Sequence, residues 1–173
     1  MSVQQTVEIN SVETVLRELA PLIEEVQRTL EQGLEGGDPA AGTQGVTERL
    51  NEIRGTLQLL DLDGPSLLVD EMRVLAMELA LGRVEVVEPA VEVLLKAVFK
   101  LPDYLDRLQA GHPDRPAVLL PLLNELRGAR GAEALDERAV FRPRLEPAAS
   151  GGGDDAQIRE TARRLRPRFQ RAL

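Results

Sequence analysis

The chain has no cysteine and no tryptophan, and among its 173 residues it has one histidine, one tyrosine and three phenylalanines. Without cysteine there can be no disulfide, thiolate metal site or cysteine nucleophile. A zinc centre needs several His or Cys ligands, and His112 stands alone, so no metal is expected. The same shortage rules out a Ser/His/Asp set, because that histidine lies in the turn-like string Gly111-His112-Pro113-Asp114. No apolar run approaches the roughly 18 residues of a bilayer span, and no signal peptide opens the chain. Membrane insertion is therefore not expected, and the cytoplasm is the expected compartment. The Gly151-Gly152-Gly153 run lacks a preceding strand and is no phosphate loop, so no cofactor is expected either.

Apolar residues make up 43% of the chain, which is enough for a folded domain and argues against wholesale disorder. The length allows one core of moderate size with a tail. Charge is unevenly divided. Residues 1–137 carry 12 basic and 25 acidic side chains, whereas residues 138–173 carry 9 and 4. The acidic part would repel a polyanion, and the basic part has no aromatic series for stacking on bases, so nucleic acid is not an expected partner. The basic part reads as a helix with a solvated arginine face.

Five apolar-periodic segments run along the chain, all at helical spacing. The first holds Val12, Val15, Leu16, Leu19, Ile23, Val26 and Leu30, with Pro21 predicting a kink or a late start. The second places Val46, Leu50, Ile53, Leu57 and Leu60 on one stripe. Asp63-Gly64-Pro65 then stops that helix and starts a third, through Leu68, Met72, Leu75, Ala76 and Leu79, which Gly82 closes. The fourth carries Ala90, Val93, Leu94, Ala97, Val98, Leu101, Leu105 and Leu108, with a bend predicted at Pro102. The fifth follows with Leu119, Leu120, Leu123 and Leu126. Short loops between such helices favour antiparallel neighbours, so residues 1–137 are read as an all-α antiparallel bundle of four to five helices. Residues 138–155 have a Pro/Gly-rich linker composition. Residues 156–173 place Ile158, Ala162, Leu165, Phe169 and Leu173 on a stripe that the chain cuts off in mid-pattern. That suggests the start of a further domain in a longer protein.

The second helix contains Asn51-Glu52-Ile53-Arg54-Gly55-Thr56. Ile53 belongs to the apolar stripe, while Asn51, Arg54, Gly55 and Gln58 fall together on the opposite face. Gly55 costs a helix interior about 1 kcal/mol relative to Ala. It reads either as a glycine kept for close approach of another backbone or ligand, or as one tolerated under a neighbouring helix.

This spacing resembles the His-x-x-Lys-Gly-Ser/Thr motif of histidine phosphotransfer (HPt) domains, in which an exposed mid-helix His on a four-helix bundle takes a phosphoryl group. In this chain Asn51 stands at the His position, Arg54 at the Lys, Gly55 at the Gly and Thr56 at the small hydroxyl. Arg54 keeps the bidentate geometry that suits a phosphate or carboxylate. Asn51 is no nucleophile, because its amide nitrogen is delocalised into the carbonyl. The likeness extends further. Gly64-Pro65-Ser66-Leu67-Leu68-Val69-Asp70-Glu71-Met72, Leu101-Pro102-Asp103-Tyr104-Leu105-Asp106-Arg107-Leu108-Gln109 and Val118-Leu119-Leu120-Pro121-Leu122-Leu123-Asn124-Glu125-Leu126-Arg127 resemble the Hpt-like N-terminal region of the ChpA/PilL hybrid histidine kinases. Those kinases belong to the type IV pilus chemosensory system, and FimL-type scaffold proteins share a related domain.

The resemblance implies an HPt-like bundle in a cytoplasmic two-component (chemotaxis-type) pathway controlling twitching motility. It also implies a parent protein that is a histidine kinase, although this segment carries no ATP site and no phosphoacceptor. The expected role is a non-enzymatic, pseudo-phosphotransfer docking domain using Asn51, Arg54, Gly55, Thr56 and Gln58. The expected partners are response-regulator receiver domains, FimL-like scaffolds or other domains of the same kinase. One rival is a structural bundle that self-associates through exposed apolar groups on the fifth helix or through the Ile158 to Leu173 stripe. Another is true phosphotransfer through His112, which reads more simply as an exposed turn histidine. The pairs Asp61/Asp63, Asp70/Glu71 and Asp103/Asp106 lie near helix ends or on polar faces, where a structural role is expected.

Overall fold

The computed structural model describes residues 3–140, and every regular element among them is helical. The helices are α1 (Val3–Glu35), α2 (Thr43–Leu59), α3 (Asp63–Ala80), α4 (Val87–Gln109), α5 (Leu120–Ala129) and the single turn α6 (Glu137–Val140). A 3₁₀ turn, Pro116–Leu119, leads into α5. The linker read beyond residue 140 and the stripe from Ile158 to Leu173 lie outside the described residues.

The first four helices close a ring. α2 packs on α1 and α3, and α4 packs on α3 and α1. The connections are short, and α2 and α3 are separated only by Leu60, Asp61 and Leu62. Such connections set neighbouring helices antiparallel. α5 then lies against α3 and α4. The expected all-α bundle is what forms.

Its core is the sequence stripes brought together. Val46, Leu50, Ile53 and Leu57 of α2 meet Leu68, Met72, Leu75, Ala76 and Leu79 of α3, all buried. Leu94, Ala97, Val98, Leu101 and Leu105 of α4 join them, with Leu19, Ile23, Val26 and Leu30 of α1. Each fully buried Leu or Ile contributes about 1.5–3 kcal/mol relative to exposure, and this burial holds four amphipathic helices in one register.

Neither interior proline ends its helix. Pro21 lies within α1, on an exposed position, and the helix runs through it. The carbonyl it leaves without a partner is that of Arg17, also exposed, where water can satisfy it. Pro102 lies within α4, between the buried Leu101 and the buried Tyr104 and Leu105. Core contacts on both sides outweigh the missing hydrogen bond.

Two loop residues depend on backbone freedom. Gly42, which precedes α2, has φ 78°, and a Cβ there would lie 2.5 Å from Thr29 Cγ2 of α1. Only glycine permits both that conformation and that approach. Asp61, in the α2–α3 turn, takes φ 55°, a left-handed conformation that Asp tolerates better than most side chains.

The fifth helix is fastened by charge as well as by apolar contact. Glu71 of α3 is 8% exposed and accepts from Arg127 Nη1 at 2.8 Å and from Arg130 Nη2 at 2.5 Å. Arg127 Nε also donates to the Glu133 carbonyl at 2.6 Å. Asn124 pairs with the Leu135 backbone in both directions, at 2.7 and 3.1 Å. These bonds hold residues 132–136 against α5 and lead into α6, which takes in the first three residues of the stretch read as linker. Val140 at its end is 3% exposed and packs into the core.

Candidate protein-docking site

The outer face of α2 is set by what its inner face buries. Because Ile53 and Leu57 point to the core, Asn51, Gly55 and Gln58 are exposed. A Cβ built on Gly55 would have no neighbour within 4 Å among the described residues. The reading of Gly55 as a glycine tolerated under a neighbouring helix therefore does not hold among the described residues, where no helix covers it. Leu59, one turn beyond, is 87% exposed, the most exposed large apolar side chain among the described residues. Sequence reasoning counted Leu60 in the stripe and passed over Leu59; Leu60 is half-buried in the turn.

Two of the expected site residues are placed differently. Arg54 turns toward α3, where its Nε lies 2.5 Å from Asp70 Oδ1. Arg73 Nε approaches the same oxygen at 3.8 Å. None of these three buried atoms makes a hydrogen bond of acceptable angle, so the contact is ionic and undirected. Two guanidinium groups thus share one carboxylate on the α2–α3 seam. The register that sets Arg54 opposite Asp70 brings Arg73, three residues further along α3, level with Asn51, three residues earlier on α2. Thr56 is half-buried, and its hydroxyl donates to the Glu52 carbonyl at 3.1 Å. Asn51, Gly55 and Gln58 therefore form the open part of the face, with Arg54 at its edge.

On the other side of α2, Arg49 Nε lies 3.0 Å from Glu25 of α1, and its Nη1 lies 2.7 Å from Glu52. Hydrogen bonds to these two carboxylates raise the Arg49 pKa and keep the guanidinium charged.

His112 is exposed and lies in the loop after α4, not on a helical face. That loop caps α3. The backbone N–H of Gly64 in the first turn of α3 donates to Asp114 Oδ2 at 2.9 Å. Tyr104 Oη donates to Asp114 Oδ1 at 2.6 Å and accepts from the Arg115 N–H at 2.9 Å. Burial first, and the bond to Asp114 second, push the Tyr104 phenol pKa up from its ordinary value. Gly64 is required here because a Cβ would overlap Asp114 Oδ1 and lie 2.7 Å from Tyr104 Oη.

Three of the paired carboxylates, Asp70, Glu71 and Asp103, make ion pairs within the bundle. Asp70 holds the arginines of the α2–α3 seam and Asp103 pairs with Lys100 at 3.4 Å. Glu71 is buried rather than on a polar face, as the anchor of α5. Among the described residues no group of three or more His, Cys, Asp or Glu side chains could hold a metal ion, and no helix is long and apolar enough to cross a membrane.

No family model matches the chain, and no solved structure matches it. Among curated proteins it is similar to the scaffold protein FimL of Pseudomonas aeruginosa, with 32% identity over 169 residues. The match covers 94% of this chain but spans only 30% of the length of that relative. The similarity therefore supports the FimL-type part of the resemblance read from the sequence.

Proposed function

We propose that this chain is a non-catalytic docking bundle, a degenerate HPt domain that binds response-regulator receivers or FimL-like scaffolds in type IV pilus chemosensory signalling. The observation that carries the reading is the open α2 face. By the HPt resemblance Asn51 takes the phosphoacceptor position; it is exposed, and beside it Gly55 leaves room for another backbone to approach. Leu59 adds an apolar contact at the end of that face, of the kind found at the centre of protein interfaces. The similarity to a protein named as a scaffold supports a binding role without catalysis.

The test is isothermal titration of the chain with each receiver domain of the pilus system, with and without a phosphoryl mimic. Micromolar binding that is lost in Arg54→Glu is the expected result. A folded sample that gives no heat with any receiver would remove the receiver as partner.

A second reading, self-association, draws on the same exposed Leu59, which suits another copy of the chain equally well. The fifth helix does not serve it as expected, since Leu122, Leu123 and Leu126 are buried in the core. Light scattering across a dilution series separates the two, and a strict monomer removes this one.

A further inference from the structure

Most arginines that pair within the bundle do so through directed bonds. Arg17, Arg49, Arg83, Arg127 and Arg130 each donate at least one side-chain hydrogen bond to a carboxylate. Arg54 and Arg73 donate none among the described residues, although a guanidinium carries five N–H donors. Their Nε atoms lie 2.5 and 3.8 Å from one oxygen, Asp70 Oδ1, so both groups are within reach of a single anion. The contacting atoms are buried, yet all three side chains stay partly exposed.

Two positive groups against one carboxylate leave the seam with a positive excess. The other acids nearby face elsewhere. Glu52 pairs with Arg49 on the α1 side of α2, and Glu71 is held by Arg127 and Arg130 on the α5 side of α3. Glu48 lies a turn and a half before Arg54, about 9 Å back along the helix. Asp61 and Asp63 lie in and after the turn that ends α2, about two helical turns beyond Arg54. At physiological salt exposed charges more than about 8 Å apart are largely screened, so Arg54, Arg73 and Asp70 decide what this part of the seam attracts. It borders the exposed Asn51 and Gly55, which carry no charge.

We propose that Arg54 and Arg73 together form the anion socket of the α2 face and receive an Asp or Glu side chain of the docking protein, with Asp70 holding the place until it arrives. This rests on the reading of that face as a docking surface and adds Arg73 of α3 to it. A part-exposed ion pair without directed bonds is weak, so an incoming carboxylate displaces Asp70 at little cost. It can also accept directed hydrogen bonds from the two guanidinium forks, the stronger arrangement that Asp70 does not make.

The test uses the isotope-labelled full chain, read at the Nε–Hε resonances of Arg54 and Arg73, so that the arginines of residues 138–173 do not enter the readout. It is titrated at fixed pH and ionic strength with an acetylated tetraglutamate amide, and separately with inorganic phosphate and sodium chloride. The expected result is a saturable shift of both resonances with the peptide. Arg73→Gln should weaken binding about tenfold, the loss expected for one charge-assisted hydrogen bond. Asp70→Asn should tighten it several-fold, and Arg28→Gln on α1 should leave it unchanged. Circular dichroism verifies that the variants fold. No shift, a shift that chloride reproduces, or one that Arg73→Gln retains in full would overturn the proposal, and tighter binding of phosphate than of the peptide would overturn the choice of a carboxylate. The docking reading is judged separately. Receiver or scaffold binding that Leu59→Glu weakens, with no peptide shift, overturns the socket and keeps the face. A peptide shift without receiver or scaffold binding supports the socket and removes those partners.

Discussion

Arg54 on α2 and Asp70 on α3 form an ion pair across the seam of the two helices, and Arg73 approaches the same carboxylate oxygen. The arginine at the Lys position of the HPt-like motif is thus engaged by the bundle's own acid. More than a third of each paired side chain is exposed, so the pair contributes about 0–1 kcal/mol to stability. Asp70→Asn should change urea stability by no more than that while leaving two arginines without their shared acid. An acidic partner would then bind several-fold more tightly, as calorimetry would show. A loss of binding in Asp70→Asn would mean that Asp70, not Arg54, faces the partner.

Glu71 presents a different case, because its carboxylate is nearly buried between two arginines. Glu71→Gln removes the charge and leaves Arg127 and Arg130 part-buried without an anion. The expected cost is about 3 kcal/mol, read from urea denaturation, because the orphaned charges weigh more than the lost bonds. A cost under about 0.5 kcal/mol would show that α5 is held by Leu123 and Leu126 alone.

Tyr104, the sole tyrosine, offers an optical check on the α3 cap. Its phenol pKa is raised in the folded state, so the stabilisation it gives is present below the unfolded value of about 10 and is lost as pH rises above it. Phenolate absorbance should therefore appear together with loss of helical signal, not before it. Tyr104→Phe should abolish that alkaline step, and Asp114→Ala should lower stability by about 1–2 kcal/mol through loss of the cap. Free ionisation of Tyr104 in the folded protein would contradict the hydrogen-bonded arrangement.

Leu59 separates binding from folding. It is almost fully exposed, so Leu59→Glu should stay within about 0.5 kcal/mol of the parent in stability. The same change should weaken partner binding at least tenfold if the end of α2 lies inside the interface. Unaltered affinity would confine the interface to the Asn51–Gly55 turn.

How much of this was legible beforehand follows from the range of each interaction. The apolar stripes of α2 and α3 could be read because helical periodicity is local, and every residue named there except Leu60 is buried. Pro21 and Pro102 sit inside continuous helices because core packing on both sides of each is a tertiary effect that no local rule contains, and the late start read at Pro21 does not occur, since α1 already spans Val3–Glu35. Glu71 was grouped with polar-face acids because Arg127 and Arg130 lie 56 and 59 residues away in sequence. The Gly64, Tyr104 and Asp114 set was invisible for the same reason, although Gly64-Pro65 did mark a helix start. On α2, spacing placed Asn51, Gly55 and Gln58 outward, but it left Arg54 among them. The side chain is long enough to reach α3, and only the fold supplies Asp70 to receive it.

The measurement bearing most directly on the docking face is a paired determination on Gly55→Leu, of stability in urea and of affinity for the receiver or scaffold partner. Nothing among the described residues covers Gly55, and leucine is the better helix former, so stability should rise by about 0.5–1 kcal/mol. Affinity should fall at least tenfold, because the added side chain fills the space a partner's backbone would occupy. A variant that is more stable yet binds as tightly as the parent would contradict the assignment of this face.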